Sequence, residues 1–174
     1  HLMFKPFPLK SKAPPYSPHR NDPHEGDNLG MRATDTRTGK TLFYAPGLGE
    51  ITPAIFDALC SADVVLVDGT FWRDDEMARL KLSAKSARDI GHLPQSGAGG
   101  MIEWLDRLPS RTRRLLIHIN NTNPILDESS DEEGRNPEPD GQPVEADHAG
   151  VIASPSATCR RQPPASRRSP SPRH

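Results

Sequence analysis

The order-forming part of this chain reads as α/β (α+β), and three observations point there. Val64-Val65-Leu66-Val67 and Leu115-Leu116-Ile117-His118-Ile119 are short apolar runs of the kind that form buried strands. Segments with apolar residues at helical spacing, Ile55, Phe56 and Leu59 and then Ile102, Leu105 and Leu108, alternate with them. A hairpin signal, Thr38-Gly39-Lys40, precedes both runs.

Taken in order, Leu29–Thr34 is expected as a short strand, Asp35 to Gly39 as a turn and Thr41–Ala45 as the returning strand, stopped by Pro46-Gly47. Pro53–Cys60 is expected as a helix, with Thr52 as N-cap and proline at the first position. Val64–Val67 follows as a buried strand that ends at Asp68-Gly69-Thr70. Arg73–Leu80 reads as a helical turn, Met101–Leu108 as a helix opened by Gly97–Gly100, and Leu115–Ile119 as the last strand. Strands that flank a helix predict a parallel βαβ arrangement with the strand ends on one side.

Residues 1–28 are rich in proline, histidine and charge and predict an irregular lead-in. Residues 29–126 hold the ordered domain. Residues 127–174 have no aromatic residue and eight prolines, acidic first and basic last, and predict a disordered tail.

Composition narrows the function. Of 174 residues, 33% are apolar and the net charge is −1, which argues against a nucleic-acid footprint. No apolar run is long enough to span a membrane, and no charged-then-apolar leader is visible, so no membrane insertion is expected. Cys60 and Cys159 lie far apart without a CxxC pair, which fits a reducing, cytoplasmic setting.

The polar residues at the strand ends carry the chemistry. Asp68 ends one predicted strand, His118 lies near the end of the next, and His92 sits in the connection between them. Carboxyl ends of strands are where α/β layers collect ligands, and one Asp with two His is an ordinary donor set for zinc, iron or manganese. Each has a plain reading as well. Asp68-Gly69 is a turn former, His92 a loop residue, and His118 a core histidine before an Asn-rich turn. Asp75 and Glu76 read equally as general acids or bases and as a solvated helix start. His24 offers one more imidazole before the first predicted strand. No pair stands at a diagnostic spacing such as HExxH.

The segments Thr38–Gly47, Ala62–Met77, Gly91–Gly97 and His118–Leu126 resemble, in order and spacing, the carboxyl-terminal part of the pyrroloquinoline quinone (PQQ) biosynthesis protein B family, within the metallo-β-lactamase superfamily. The resemblance covers about residues 4–128. It implies a partial metallo-β-lactamase-like αβ/βα sandwich, a carboxyl-terminal fragment of the family's domain, followed by the disordered tail. It implies metal ligands at His118, Asp68 and His24, with Asp68 either a ligand or an anchor for one, and a substrate-contacting catalytic histidine at His92. The metal would be Fe(II) or Zn(II). Ala45-Pro46 stands where hydrolytic relatives place a bridging aspartate, and the superfamily's HxHxDH cluster does not occur in this chain. The implied role is iron-dependent oxidation or hydroxylation of a tyrosine-derived PQQ precursor. A carrier for PQQ or its precursor and an inactive truncated fragment are the alternatives. The implied partners are the Glu- and Tyr-derived precursor and other PQQ-biosynthesis proteins.

Overall fold

In the computed structural model the described residues are 1–14, 16–20, 22–127 and 129–130, together with the backbone of 150–152. Six strands form one sheet in chain order: β1 (Leu2–Pro8), β2 (Leu29–Asp35), β3 (Thr41–Ala45), β4 (Val64–Asp68), β5 (Arg113–Ile117) and β6 (Gly150–Ile152). The first three are an antiparallel meander, β3, β4 and β5 run parallel, and β6 returns antiparallel to β5. The helices are α1 (Pro53–Cys60), α2 (Glu76–Arg79), α3 (Ala87–Ile90) and α4 (Met101–Leu105).

The central unit is the parallel layer the sequence predicts. Thr52 caps α1, its hydroxyl accepting from the Ile55 N–H at 3.4 Å, and Pro53 opens the helix where its missing N–H costs nothing. One side of the sheet contributes Phe43, Val65, Val67 and Leu116 to the core, against Ile55, Leu59, Met101, Leu105 and Leu108. Residues of opposite parity point the other way, and Leu29 and Tyr44 there are nearly half exposed. The helices therefore cover one face of the sheet more completely than the other.

Four expectations need correction. The Pro-rich lead-in contains β1, because Pro6 and Pro8 lie on an edge strand, where a missing N–H need not break a ladder on both sides. The last predicted strand lies two residues earlier than its apolar run. Parallel pairing of Val64 with Arg113 and Asp68 with Ile117 sets its bounds, and buried Arg114 donates to the Leu108 and Pro109 carbonyls at 3.0 and 3.4 Å. The helix expected over 101–108 ends at Leu105, since Pro109 disfavours helical geometry just before it; Leu108 still reaches the core through a turn. The helical turn expected over 73–80 narrows to α2.

Most of the segment expected to be a disordered tail, Cys159 included, lies outside the described residues; among those that are described, β6 pairs with β5. Among the described residues, no helix is long and apolar enough to cross a membrane.

Candidate metal centre

Parallel pairing puts the carboxyl ends of β4 and β5 side by side, with Asp68 opposite Ile117, so His118 follows directly beside it. His92 arrives by a different route. Ser86 and Asp89 form a capping box that starts α3, and Gly91 ends it with φ at 104°. Only glycine adopts that conformation cheaply, and a Cβ there would lie 2.6 Å from the Lys12 nitrogen. The chain then re-enters the domain, the Leu93 N–H donating to the Leu48 carbonyl at 2.9 Å.

Asp68 is fully buried. Its carboxylate accepts from the Leu48 N–H at 3.0 Å, the Thr70 N–H at 3.0 Å, the Thr70 hydroxyl at 2.5 Å and His92 Nδ1 at 2.7 Å. His118 Nδ1 lies 3.9 Å from the carboxylate and 2.9 Å from Thr70 Oγ1. Thr70 Oγ1 is also 3.1 Å from His92 Nδ1. Thus one hydroxyl and one carboxylate hold both imidazoles.

These contacts fix the tautomers. An ionised carboxylate only accepts, so His92 Nδ1 must carry the proton it donates to Asp68. Thr70 has one proton and gives it to Asp68, so its oxygen accepts the Nδ1 proton of His118. In each neutral ring the lone pair is then on Nε2. A hydrogen-bonded carboxylate that sets the tautomer of a ligating histidine is a usual companion of metal sites.

Burial alone would raise the Asp68 carboxyl, but the nearby His118 imidazole and hydrogen bonds from His92 and Thr70 outweigh it and hold it below the ordinary 3.8. The nearby Asp68 carboxylate, 3.9 Å away, raises His118 above 6.5, against partial burial, with the Pro46 carbonyl adding to the rise. The signs give a pH window. The raised His118 stabilises the fold fully below 6.5, and the contribution fades as pH climbs through its folded value. The lowered Asp68 stabilises the fold above 3.8 and fails as pH falls through its folded value. A metal requires neutral His118, so acid opposes it. The expected outcome is a metal-free chain whose melting temperature falls from pH 6 to pH 8, while the upward shift produced by added Zn(II) grows over the same range. Thermal melts at both pH values read the two effects, and a Zn(II) shift that is larger at pH 6 contradicts the assignment.

The turn that presents Asp68 and Thr70 is braced from below. The Gly69 carbonyl accepts from the side chains of Gln95 and Asn123, the latter at 3.0 Å, and the Thr70 carbonyl accepts from the Asn120 N–H at 3.0 Å. Gly69 itself is needed for close approach, since a Cβ would stand 2.7 Å from Ile119 Cδ1 and 2.9 Å from Leu116 Cβ. Buried Glu76 accepts from the Trp72 N–H at 2.7 Å and from the Thr122 hydroxyl, which ties α2 to the Asn-rich turn. That role is structural. Asp75 pairs with Arg73 at 3.0 Å on the surface.

Of the residues singled out in the sequence, Asp68, His92 and His118 come together. Each offers one donor atom, all within 4.8 Å of one another. They are the one such group of three among the described residues. His24 does not join them. Its ring is exposed, with Nδ1 2.6 Å from His19 Nδ1 and Nε2 3.7 Å from Asp22. The Asn-rich turn after His118 braces the Gly69-Thr70 bend, and Thr70 is the hub of the site.

Two imidazoles and a carboxylate match in kind the protein ligands of catalytic zinc and mononuclear iron sites. The 2.7 Å between Asp68 Oδ2 and His92 Nδ1 is a hydrogen-bond separation. Donors sharing a metal at about 2.1 Å each lie roughly 3 Å apart or more. Asp68 and His92 are thus hydrogen-bonded to each other, and the donor set fits a metal that would be held by the histidines with Asp68 as their anchor.

Residues 1–119 match the Beta-lactamase superfamily domain. The chain is 65% identical over 127 residues to the coenzyme PQQ synthesis protein B of Azoarcus sp. (strain BH72), covering 73% of this chain and 42% of that protein. It is 60% identical over 132 residues to the protein of the same name from Pseudomonas entomophila (strain L48), covering 76% and 43%. The crystal structure of Zn(2+)-bound PqqB from Methylobacterium extorquens superposes with a TM-score of 0.69 at 31% identity, covering 76% of this chain and 44% of that one. The chain thus spans less than half the length of the relatives it matches. The resemblance to protein B of PQQ synthesis and the metallo-β-lactamase-like α/β fold, both expected from the sequence, hold.

Proposed function

The chain belongs to the beta-lactamase superfamily, and from that premise we propose that it serves PQQ biosynthesis through a metal centre at His92, His118 and Asp68. The proposed reaction is oxidation or hydroxylation of a tyrosine-derived precursor. The observation that carries this reading is the shared brace: buried Asp68 and Thr70 hold the Nδ1 atoms of two imidazoles and leave Nε2 of each as the ligating atom. The relatives' names supply the pathway, and the zinc-bound relative supports a metal.

His92 and His118 hold the metal, and Asp68 fixes their tautomers and offsets the positive charge. Bound there, Fe(II) would supply redox chemistry with oxygen and Zn(II) would supply Lewis acidity. The brace matters because a metal ligand left to rotate loses affinity. His24, which the family resemblance also offers as a ligand, would need to leave His19 to take part. The proposed partners are the precursor and other proteins of PQQ synthesis, and the proposed location is the cytoplasm.

Incubating the Fe(II)-loaded chain with a Glu- and Tyr-bearing precursor, oxygen and a two-electron reductant such as ascorbate tests the reaction, in which one oxygen atom enters the precursor and the other leaves as water. The expected result is a product heavier by one oxygen atom, lost on His118→Ala. A chain that retains Fe(II) and returns the precursor unchanged overturns the oxidative reading.

A further inference from the structure

The two faces of the sheet differ sharply in cover. On the helix side the cross-strand row Ala45, Val67 and Leu116 is buried. On the other side one row of register partners, Pro6, Met31, Tyr44, Leu66 and Leu115, runs across β1 to β5. Each of these is apolar in body, and none is buried. Tyr44, on the middle strand, is 42% exposed. Even on β4, with a strand on either side, Val64 and Leu66 stay partly open while Val65 and Val67 are buried. Parallel layers such as β3, β4 and β5 are covered on both faces almost without exception, and a contiguous exposed apolar face marks an interaction surface.

Three observations point to what covers it. The first is area. Strands β1 to β5, spaced about 4.8 Å apart and about 17–24 Å long, give a face of roughly 400–550 Å² in projection. Two such faces bury about 1,000 Å² together, the lower end of specific interfaces. The second is charge. At one rim of the face a groove of about 540 Å³ is floored by Leu42 and Val64 and walled by Asp35, Asp63, Lys40 and Arg111. A rim with both signs can meet its own copy across a two-fold axis with opposite charges facing. The third is the free edge. The backbone of β1 bonds to β2 through its odd-numbered residues, as at His1 and Leu9. Pro6 and Pro8 therefore look outward and offer no N–H, which discourages association by strand addition and leaves the face.

We propose that a second copy of this chain packs its own bare face on this one. The two sheets lie about 10 Å apart, aligned within about 30°, with the helices of each copy outside. Tyr44, at the centre of the face, is then buried in both copies. This inference goes beyond the biosynthetic reading and does not rest on it.

Sedimentation velocity of the full chain over a concentration series is the test. The expected result is a reversible monomer–dimer equilibrium with a dissociation constant of about a micromolar, and a melting temperature that rises with protein concentration. Tyr44→Glu should weaken the dimer about a hundredfold or more, because it buries a charge in each copy. Leu82→Glu, at a 61% exposed position in the turn after α2, should leave it unchanged. Tyr44→Ser removes apolar area without adding charge and should weaken the dimer about tenfold; it decides the matter if the glutamate variant does not fold. A chain that stays monomeric to about 100 μM, or a dimer that survives the Tyr44 substitutions, overturns the proposal. So does open-ended association, which two-fold packing of one face on another cannot produce.

Discussion

Asp68→Asn is expected to weaken metal binding and destabilise the fold in one step. The substitution keeps the shape of the side chain but replaces an acceptor with an amide nitrogen that can only donate. Every partner of Asp68 donates: the Leu48 and Thr70 N–H groups, the Thr70 hydroxyl and His92 Nδ1. At a fully buried position, a donor forced against donors leaves groups unpaired and strips His92 and His118 of their countercharge. Breaking a buried ion pair costs about 3–5 kcal/mol, a large part of a small domain's stability. Loss of a histidine's orienting carboxylate costs about 10- to 100-fold in metal affinity. Urea melts of the metal-free protein and a Zn(II) titration read the two effects separately. An Asn variant as stable as the parent would show that the brace is not what holds this corner together.

His118 gives the second large effect, and here two substitutions should part company. Its backbone lies at φ 60°, in the left-handed region, which costs a non-glycine residue about 1–2 kcal/mol. Such strain persists where the surroundings impose it and clusters at functional sites. Both His118→Ala and His118→Gly remove the imidazole, so both should abolish the metal-induced shift. Glycine also releases the strain, whereas alanine keeps it. The Gly variant is therefore expected to be more stable than the Ala variant by about 1 kcal/mol, measured by denaturant unfolding without metal. An alanine variant that equals or exceeds the glycine variant would mean that the backbone at this strand end is not strained.

The limits of sequence reading follow the same physics. β3 and α1 were legible to the residue, because a Pro-Gly stop, a threonine cap and a proline at the first helical position mark their ends independently of tertiary structure. The strand β4 was legible from its apolar β-branched run. Local signals failed where pairing decides. The prolines of β1 read as breakers until the strand is known to be an edge. The apolar run Leu115–Ile119 misplaces β5, because the register against β4 begins at Arg113. The short helix α3 was missed although Ser86, Asp89 and Gly91 spell a capping box and a left-handed stop.

In the site, Asp68 and His118 are legible as polar residues at the ends of successive strands, and His92 as the imidazole in the connection between them. Thr70 was passed over because Asp-Gly-Thr reads as a tight bend. Its hydroxyl bridges two histidines that lie 22 and 48 residues downstream, a relation no local pattern encodes. Gln95 and Asn123 escaped notice for the same reason, since their task is to hold the Gly69 carbonyl from distant segments.

The most direct test of the metal centre is metal content and melting temperature of the purified chain, with and without Zn(II) or Fe(II). A site on His92 and His118 predicts about one equivalent of tightly held metal and a cooperative transition raised by it. At a hundredfold excess over the dissociation constant the stabilisation should be about 2.7 kcal/mol, and His118→Ala should remove it. A chain that retains no metal, and melts at the same temperature with or without it, would contradict the account.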